Sequence, residues 1–148
     1  MLYDEQGRRV GMESSPVHCH FPQPGWVEQD PLQIWSAQLE AARRLLERTG
    51  VAASEIRGVG ITNQRETTIV WERATGRPAA PAIVWQCRRT ADYCAELAAS
   101  AQAALITAKT GLVIDAYFSS SKLRWILDHV PEARVRARDG ELLFGNVD

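Results

Sequence analysis

Residues 57 to 71 place four consecutive polar side chains between two apolar runs, and this arrangement strongly constrains the fold. The flanking runs, R-G-V-G-I-T and T-T-I-V-W, carry the β-branched and aromatic residues that favour strands. The four polar residues are Asn63, Gln64, Arg65 and Glu66. Tight turns are usually built from Gly, Pro, Asn or Asp, so Arg65 and Glu66 are poor turn formers. The stretch predicts strands over 56–62 and 67–72, joined by a polar segment with a functional role.

Glycines in the first run raise the possibility of a phosphate-binding loop, which the spacing does not support. Gly58 and Gly60 share one face of the predicted strand, where the lack of side chains lets another element approach closely. The string G-V-G-I-T-N has no third glycine, and a strand rather than a helix follows it. A dinucleotide-binding fingerprint is therefore rejected, and the chain contains no P-loop motif either.

A long amphipathic helix is predicted between Asp30 and Gly50. Asp30 is a good N-cap, Pro31 suits the first helical position and Gly50 is placed to end the helix. Apolar residues recur every three or four positions and predict one buried stripe. That stripe consists of Leu32, Trp35, Leu39, Ala42 and Leu46.

Short strands and helices alternate along the rest of the chain, which predicts an α/β fold around a largely buried sheet. We expect a hairpin over 2–14 that turns at 4–7, an extended segment at 17–21, and short strands at 82–85 and 142–144. Helices are expected over 89–98, 101–109, 119–129 and 132–138, with Ser119 or Ser120 capping the third. The strand at 142–144 has no following partner element, so we expect the chain to be a fragment of a longer protein.

Composition excludes several classes of function. A net charge of -1 and a pI near 6.3 argue against a nucleic-acid partner or an anionic membrane surface. No apolar run approaches the roughly 20 residues of a membrane span, and the N-terminus does not have the pattern of a signal peptide. Three cysteines form neither an even framework nor a C-x-x-C motif, which favours free thiols in the cytoplasm. His18 and His20 lack a third metal ligand nearby, so no metal site is expected.

Arg65 and Glu66 are suited to binding a small polyhydroxylated molecule. An ionised glutamate only accepts hydrogen bonds and an arginine only donates them, so the two side chains together satisfy both roles of a hydroxyl group. An analogue without that hydroxyl leaves a buried polar group unpaired, at a cost of about 1–3 kcal/mol. The alternative interpretation, left open by the spacing alone, is a solvated surface ion pair worth about 0–1 kcal/mol.

Four blocks of sequence closely resemble the glycerol kinases, a branch of the carbohydrate-kinase family. The blocks are G-I-T-N-Q-R-E-T-T-I-V-W-E at 60–72, A-I-V-W-Q-C-R-R-T at 82–90, P-G-W-V-E-Q-D-P at 24–31 and T-G-L-V-I-D-A-Y-F-S at 110–119. Residues 117–129 also resemble the first signature of the wider family, with a small hydroxyl residue, Lys, an apolar residue and Trp at fixed offsets. The resemblance extends over essentially the whole chain.

The resemblance implies an α/β fold of the actin-like ATPase and ribonuclease-H-like type, of which 1–148 form part of the first, substrate-binding domain. It implies phosphorylation of glycerol to glycerol 3-phosphate with ATP and Mg²⁺. Arg65 and Glu66 match the family's contacts to the glycerol hydroxyls, and Trp85 and Tyr117 match the aromatic walls of the same pocket. Packing in the core is the alternative role of each aromatic residue.

The resemblance also indicates which parts of the catalytic machinery lie outside these residues. The family's phosphate-binding first strands, its catalytic aspartate and its adenosine-binding second domain have no counterpart in 1–148. We therefore expect no catalytic, cofactor-binding or metal-binding residue here, and an isolated chain without activity. An open sheet edge invites pairing with another chain, so a homo-oligomer is a further expectation.

Two other functions stay open on the sequence: a kinase for another polyol or a ketose, and a non-catalytic remnant or partner-binding module. Side chains near the matched blocks have simpler interpretations. Arg88 and Arg89 are expected to be solvated at a helix entrance, and Cys87 to have no nucleophilic role. Lys122 is expected at the surface or at the edge of a cleft, and Trp125 to be packed.

Overall fold

A computed structural model describes residues 1–148, which form two compact units. The first unit contains Met1–His18 and Asp30–Thr62, and the second contains Cys19–Gln29 and Asn63–Asp148. None of the helices has the length and hydropathy of a membrane span.

The first unit joins a small hairpin to a long helix. Strands β1 (Leu2–Tyr3) and β2 (Arg9–Gly11) pair antiparallel, as predicted, and Asp4 stabilises the turn by accepting hydrogen bonds from the backbone of Gln6 and Arg8. Helix α1 (Pro31–Thr49) packs on β2 so closely that a β-carbon on Gly11 would lie 2.9 Å from Leu45 and Thr49 side-chain atoms. A larger residue at this position would force the Leu45 and Thr49 side chains to shift, so glycine suits this close approach.

Both ends of α1 are capped as the sequence predicts. The Asp30 side chain accepts a hydrogen bond from the Leu32 backbone at 2.9 Å, and Gly50 ends the helix in the left-handed conformation. The predicted buried stripe is wrong, because Leu32 is exposed and Trp35 is 67% exposed. The buried residues are Ile34, Ala37 and Leu45. Of these, Leu45 lies against Gly11 of β2.

The strand predicted over 56–62 does not form. A short 3-10 helix, Ala53–Glu55, is followed by extended chain without a strand partner. Val59 and Ile61 are 82% and 75% exposed. A strand exists only when a neighbouring strand takes up its backbone hydrogen bonds, and none of the strand pairs includes this segment.

The second unit contains two further strand pairs rather than one continuous sheet. Strand β3 (Glu28–Gln29) pairs antiparallel with β5 (Ala82–Ile83), while β4 (Ile69–Glu72) pairs antiparallel with β6 (Leu142–Gly145). Strand β6 pairs with β4, which precedes it in the chain by about 70 residues. The extended segment predicted at 17–21 is reduced to one bridge between His20 and Glu28.

Four helices complete the second unit, close to the predicted ranges. They are α2 (Ala91–Ala98), α3 (Ala103–Thr110), α4 (Ser119–His129) and α5 (Ala133–Arg138). The predicted serine cap of α4 is wrong, because the N-cap is Phe118 and makes no side-chain capping bond. The Ser119 hydroxyl bonds to a glutamate outside the helix instead.

The core of the second unit is formed where β4 and β5 meet α4. Its fully buried apolar members include Val70, Ile83 and Ile126. Arg89 was expected to be solvated, and this is wrong: its side chain is 1% exposed. The guanidinium lies 4.0 and 4.7 Å from the ring centroids of Trp26 and Trp125 and forms a 2.8 Å ion pair with Glu28. A buried arginine is tolerated because its charge is paired and its faces are covered by aromatic rings.

Candidate functional site

The polar residues between the two apolar runs form a strained turn. Arg65 and Glu66 occupy this turn, and Glu66 has a φ of 63°. A glutamate in the left-handed region is uncommon and is retained only where surrounding contacts enforce it. The conformation directs the half-buried Glu66 side chain into the second unit, where those contacts are found.

Glu66 is held by the first residue of α4. Its Oε2 atom accepts hydrogen bonds from the Ser119 backbone N–H at 2.8 Å and from the Ser119 hydroxyl at 2.7 Å. Backbone N–H groups at the start of a helix favour a negative charge, which stabilises the carboxylate at this position. One oxygen of Glu66 is therefore fixed by the protein.

Trp85 and Tyr117 lie against each other, with ring centroids 6.1 Å apart in an edge-on arrangement. Trp85 remains 41% exposed, so it is not a core residue. The structure thus brings two of the four predicted site residues, Trp85 and Tyr117, into contact. Glu66 is bonded to Ser119, which is two residues beyond Tyr117 in the chain. An aromatic surface beside an anchored carboxylate can cover the C–H face of a small polyol while the carboxylate accepts from a hydroxyl.

Arg65, the fourth predicted residue, is exposed and has neither a hydrogen-bond nor an ion-pair partner within the chain. It does not pair with Glu66, whose carboxylate turns to Ser119 instead. The solvated Arg65–Glu66 ion pair considered on the sequence is therefore absent. The guanidinium keeps its donors available for an external acceptor.

Asp115 fixes the chain just before Tyr117. Its Oδ1 atom accepts from the Tyr117 backbone N–H at 2.7 Å and forms a 2.7 Å ion pair with Arg88. The hydrogen bond from Arg88 is the main reason that the pKa of the Asp115 carboxyl is lowered, and the bond from Tyr117 contributes. The charged carboxylate therefore holds the segment that presents the Tyr117 ring.

Lys122 is fully buried, which corrects the expectation of a surface lysine. Its ammonium group donates to the Tyr117 carbonyl and lies 6.0 Å from the Tyr117 ring centroid. Burial lowers its pKa to about 8, while the nearby Glu66 carboxylate opposes this fall. Lys122 therefore holds the Tyr117 backbone from within the core.

Sequence reasoning missed the supporting residues of the site, namely Ser119, Lys122 and Asn146. The Asn146 amide donates to the Ser119 hydroxyl at 3.3 Å and to the Thr67 carbonyl at 3.2 Å. Ser119 and Lys122 lie in the matched family signature, which was the available signal. For Asn146 there was no signal, because it lies 79 residues from Thr67.

Other features of the chain do not extend the site. Two open depressions of about 410 and 440 Å³ lie where α4 approaches α5, and neither includes Glu66, Trp85 or Tyr117. No group of three or more His, Cys, Asp and Glu residues is arranged to hold a metal ion. His18 and His20 are both exposed.

The sequence matches a family model over nearly its full length. Residues 1–147 match the model described as "FGGY family of carbohydrate kinases, N-terminal domain". The chain therefore belongs to the FGGY family of carbohydrate kinases, as the resemblance predicted.

Curated relatives are named glycerol kinase. Those of Symbiobacterium thermophilum and Alkaliphilus metalliredigens are 57% and 53% identical over all 148 residues. The chain spans only 30% of the length of each of these relatives.

Solved structures of kinases share the fold. The structure of a Plasmodium falciparum glycerol kinase with ADP matches with a TM-score of 0.89 and 33% sequence identity. The match covers 98% of the present chain and 29% of the Plasmodium chain. The structure of a xylulose kinase from Rhodospirillum rubrum matches with a TM-score of 0.69 and 29% sequence identity. This match covers 80% of the present chain and 25% of the Rhodospirillum chain. The predicted carbohydrate-kinase α/β fold is confirmed.

Proposed function

We propose that this chain supplies the glycerol-binding side of an ATP-dependent kinase that converts glycerol to glycerol 3-phosphate. The observation that carries the proposal is the Glu66 carboxylate, which is anchored by Ser119. Ser119 follows Tyr117 by two residues in the chain, and the Tyr117 ring packs against Trp85. The names of the relatives support glycerol over larger substrates. The anchored carboxylate, the free arginine and the aromatic surface match the chemistry of a small neutral polyol.

Each proposed site residue has a distinct role. Glu66 accepts a hydrogen bond from a glycerol hydroxyl, and Arg65 donates to a hydroxyl oxygen. Trp85 and Tyr117 cover the carbon chain and exclude water, which strengthens the polar contacts. These residues select and orient the substrate, so that the acceptor hydroxyl is held for phosphoryl transfer.

ATP is the proposed phosphoryl donor, supported by the kinase family and by the ADP bound to the Plasmodium falciparum glycerol kinase. When bound with the nucleotide, Mg²⁺ neutralises charge on the transferred phosphoryl group. The described residues do not fit such a metal, since no cluster of suitable ligands exists. No step of the reaction is therefore assigned to a metal ligand of this chain.

We place the enzyme in the cytoplasm, a proposal supported by the three free cysteines.

A chimaera tests the proposed substrate directly. These 148 residues would replace the matching segment of the Symbiobacterium thermophilum glycerol kinase, with the unmodified enzyme as the control. We expect ATP-dependent turnover of glycerol, measured by coupled ADP release, and kcat/KM at least about tenfold lower for xylulose and erythritol. A folded chimaera that prefers xylulose, or that turns over no substrate, contradicts the proposal.

The Glu66→Gln variant of the chimaera tests the site itself. It keeps the size of the side chain but replaces the charged acceptor, so KM for glycerol should rise about 10- to 100-fold. The matched control is Glu96→Gln, at an exposed glutamate of α2, which should leave KM unchanged. Unchanged glycerol kinetics in Glu66→Gln would remove Glu66 from the proposed site.

The isolated 148-residue chain should show no turnover in the same assay, because its proposed role is to bind glycerol and none of its residues is assigned to ATP or to the metal ion. ADP release above a no-enzyme control would show that the groups which move the phosphate lie within these residues.

A further inference from the structure

The second unit fixes one oxygen of Glu66 and leaves the other without a partner. Oε2 receives both the backbone N–H and the hydroxyl of Ser119, at 2.8 and 2.7 Å. The structure gives Oε1 no hydrogen-bond donor within the chain. A carboxylate accepts at both oxygens, so Oε1 is the atom available to a substrate hydroxyl.

The direction of the Ser119 hydroxyl proton follows from its neighbours. The Asn146 amide nitrogen donates to the Ser119 oxygen at 3.3 Å and occupies an acceptor position there. The single hydroxyl proton is then given to Glu66, which as a carboxylate can only accept. Successive hydrogen bonds of this kind polarise and strengthen one another.

The same amide also holds the chain next to Glu66. Asn146 donates to the Thr67 carbonyl at 3.2 Å, directly after the strained turn. The turn, the start of α4 and the segment after β6 are thereby linked through one hydroxyl and one amide. Removing the hydroxyl takes away a bond to the carboxylate and the acceptor for Asn146.

We infer that Ser119 is a positioning residue for the substrate: its side chain sets the rotation of the Glu66 carboxylate so that Oε1 faces the glycerol hydroxyl. This inference rests on the proposed function, since it assigns the role of Ser119 through Glu66. Ser119 does not itself contact the substrate in this assignment. Its contribution is to remove the rotational freedom that Glu66 would otherwise lose on binding.

Kinetics of the chimaera distinguish positioning from a general structural role. Ser119→Ala keeps the backbone donor and removes the hydroxyl, so KM for glycerol should rise about tenfold, while kcat and KM for ATP change less than about threefold. Ser119→Thr retains a hydroxyl and should restore most of the lost affinity. The matched control is Ser120→Ala, at the neighbouring position in the same turn, which should leave all three constants unchanged.

The outcomes separate this inference from the proposed function. If Glu66→Gln raises the glycerol KM and Ser119→Ala does not, the site stands and the positioning role is overturned. A loss in kcat and both KM values together, without rescue by threonine, also overturns it. If glycerol is not a substrate at all, the proposed function fails.

A measurement on the 148-residue chain tests the underlying contact without any activity. The Ser119 amide proton should resonate downfield because it is bonded to a carboxylate, and Glu66→Gln should move it upfield. Ser120 provides the control resonance, which should shift little. An unshifted Ser119 resonance overturns the inference whatever the kinetics show.

Discussion

Two apolar runs flank the polar residues 63–66, and the structure leaves them in opposite states. In the run 67–72, Thr67 and Thr68 are fully buried, and β4 pairs with β6 along its length. In the run 56–62 the chain has no strand partner and Val59 is 82% exposed. Both runs have β-branched residues, so strand propensity does not explain the difference. A strand partner and a buried face are what the first run lacks.

Buried polar groups add to this contrast. Around the second run, Thr67 accepts from the Gln64 amide at 2.8 Å and from the Trp85 backbone at 3.3 Å. Two buried cations, Arg89 and Lys122, lie in the same unit. The run 56–62 has no comparable set of side-chain bonds. Substitutions in and around the two runs show whether the difference in structure is also a difference in energy.

The largest effect is expected at Arg89. Arg89→Ala leaves Glu28 without its ion-pair partner and removes the cation between Trp26 and Trp125, so the free energy of unfolding should fall by about 3–5 kcal/mol. Urea unfolding of the 148-residue chain measures this. The control is Arg88→Ala, which breaks a half-exposed ion pair with Asp115 and should cost about 0–1 kcal/mol. Equal losses in the two variants would contradict a special role for the buried arginine.

Lys122 predicts a pH dependence of stability. Its pKa is about 8 in the folded chain and 10.5 in the unfolded one, so the unfolded chain binds more protons between these values. The penalty for burying the charge is present in full below pH 8 and disappears as the pH rises to 10.5. Relative to Lys122→Met, the free energy of unfolding should therefore rise by up to about 3 kcal/mol across this window.

The chain contains one other lysine, which makes a matched control for Lys122. Lys109 is exposed on α3, so the stability difference between the wild type and Lys109→Met should stay flat from pH 8 to 10.5. A flat difference for Lys122→Met as well would show that the buried amine does not titrate in this range.

A smaller effect is expected at Asn146, which ties the segment after β6 to the start of the second run. Asn146→Ala removes hydrogen bonds to Thr67 and Ser119, and should lower the free energy of unfolding by about 1 kcal/mol. Asp148→Asn, at the exposed end of the same segment, should change it by no more than about 0.5 kcal/mol. If Asn146→Ala lowers the free energy of unfolding as little as Asp148→Asn does, the hydrogen bonds of Asn146 do not contribute to stability.

The smallest effect is expected in the run 56–62. Val59→Ser should change stability by no more than about 0.5 kcal/mol, whereas Val70→Ser, at a core position, should cost about 2 kcal/mol or more. Hydrogen exchange gives the direct comparison: amides of 57–62 should exchange rapidly and those of β4 slowly. Equal protection of the two runs would break the contrast between them.

Sequence patterns predicted the elements whose signals are local. Helix α1 has its N-cap at Asp30 and its C-terminal glycine at Gly50, because both act within one turn of the helix. The hairpin turn at 4–7 is of the same kind. For the candidate site the sequence offered a resemblance alone: Arg65, Glu66, Trp85 and Tyr117 lie in blocks that resemble one family, and their role in binding stays a prediction.

Errors arose wherever a residue's environment depends on distant parts of the chain. The predicted stripe on α1 includes Leu32 and Trp35, which the structure leaves exposed, whereas Leu45, which lies against the distant Gly11, is buried. Lys122 and Arg89 were expected in water because isolated charges rarely enter a core. Their partners, the Tyr117 carbonyl and Glu28, become neighbours only in the folded unit.

The sequence by itself determined the α/β class, the family and the residues that resemble its substrate contacts. The class follows from the alternation of short strands and helices, while the family and the substrate contacts follow from blocks of sequence that resemble the glycerol kinases. Only the tertiary structure decided that Glu66 is held by Ser119, 53 residues away, and that the run beginning at Thr67 is buried while Val59 is exposed. Hydrogen-bond partners and burial are properties of residues far apart in sequence, and only folding brings those residues together.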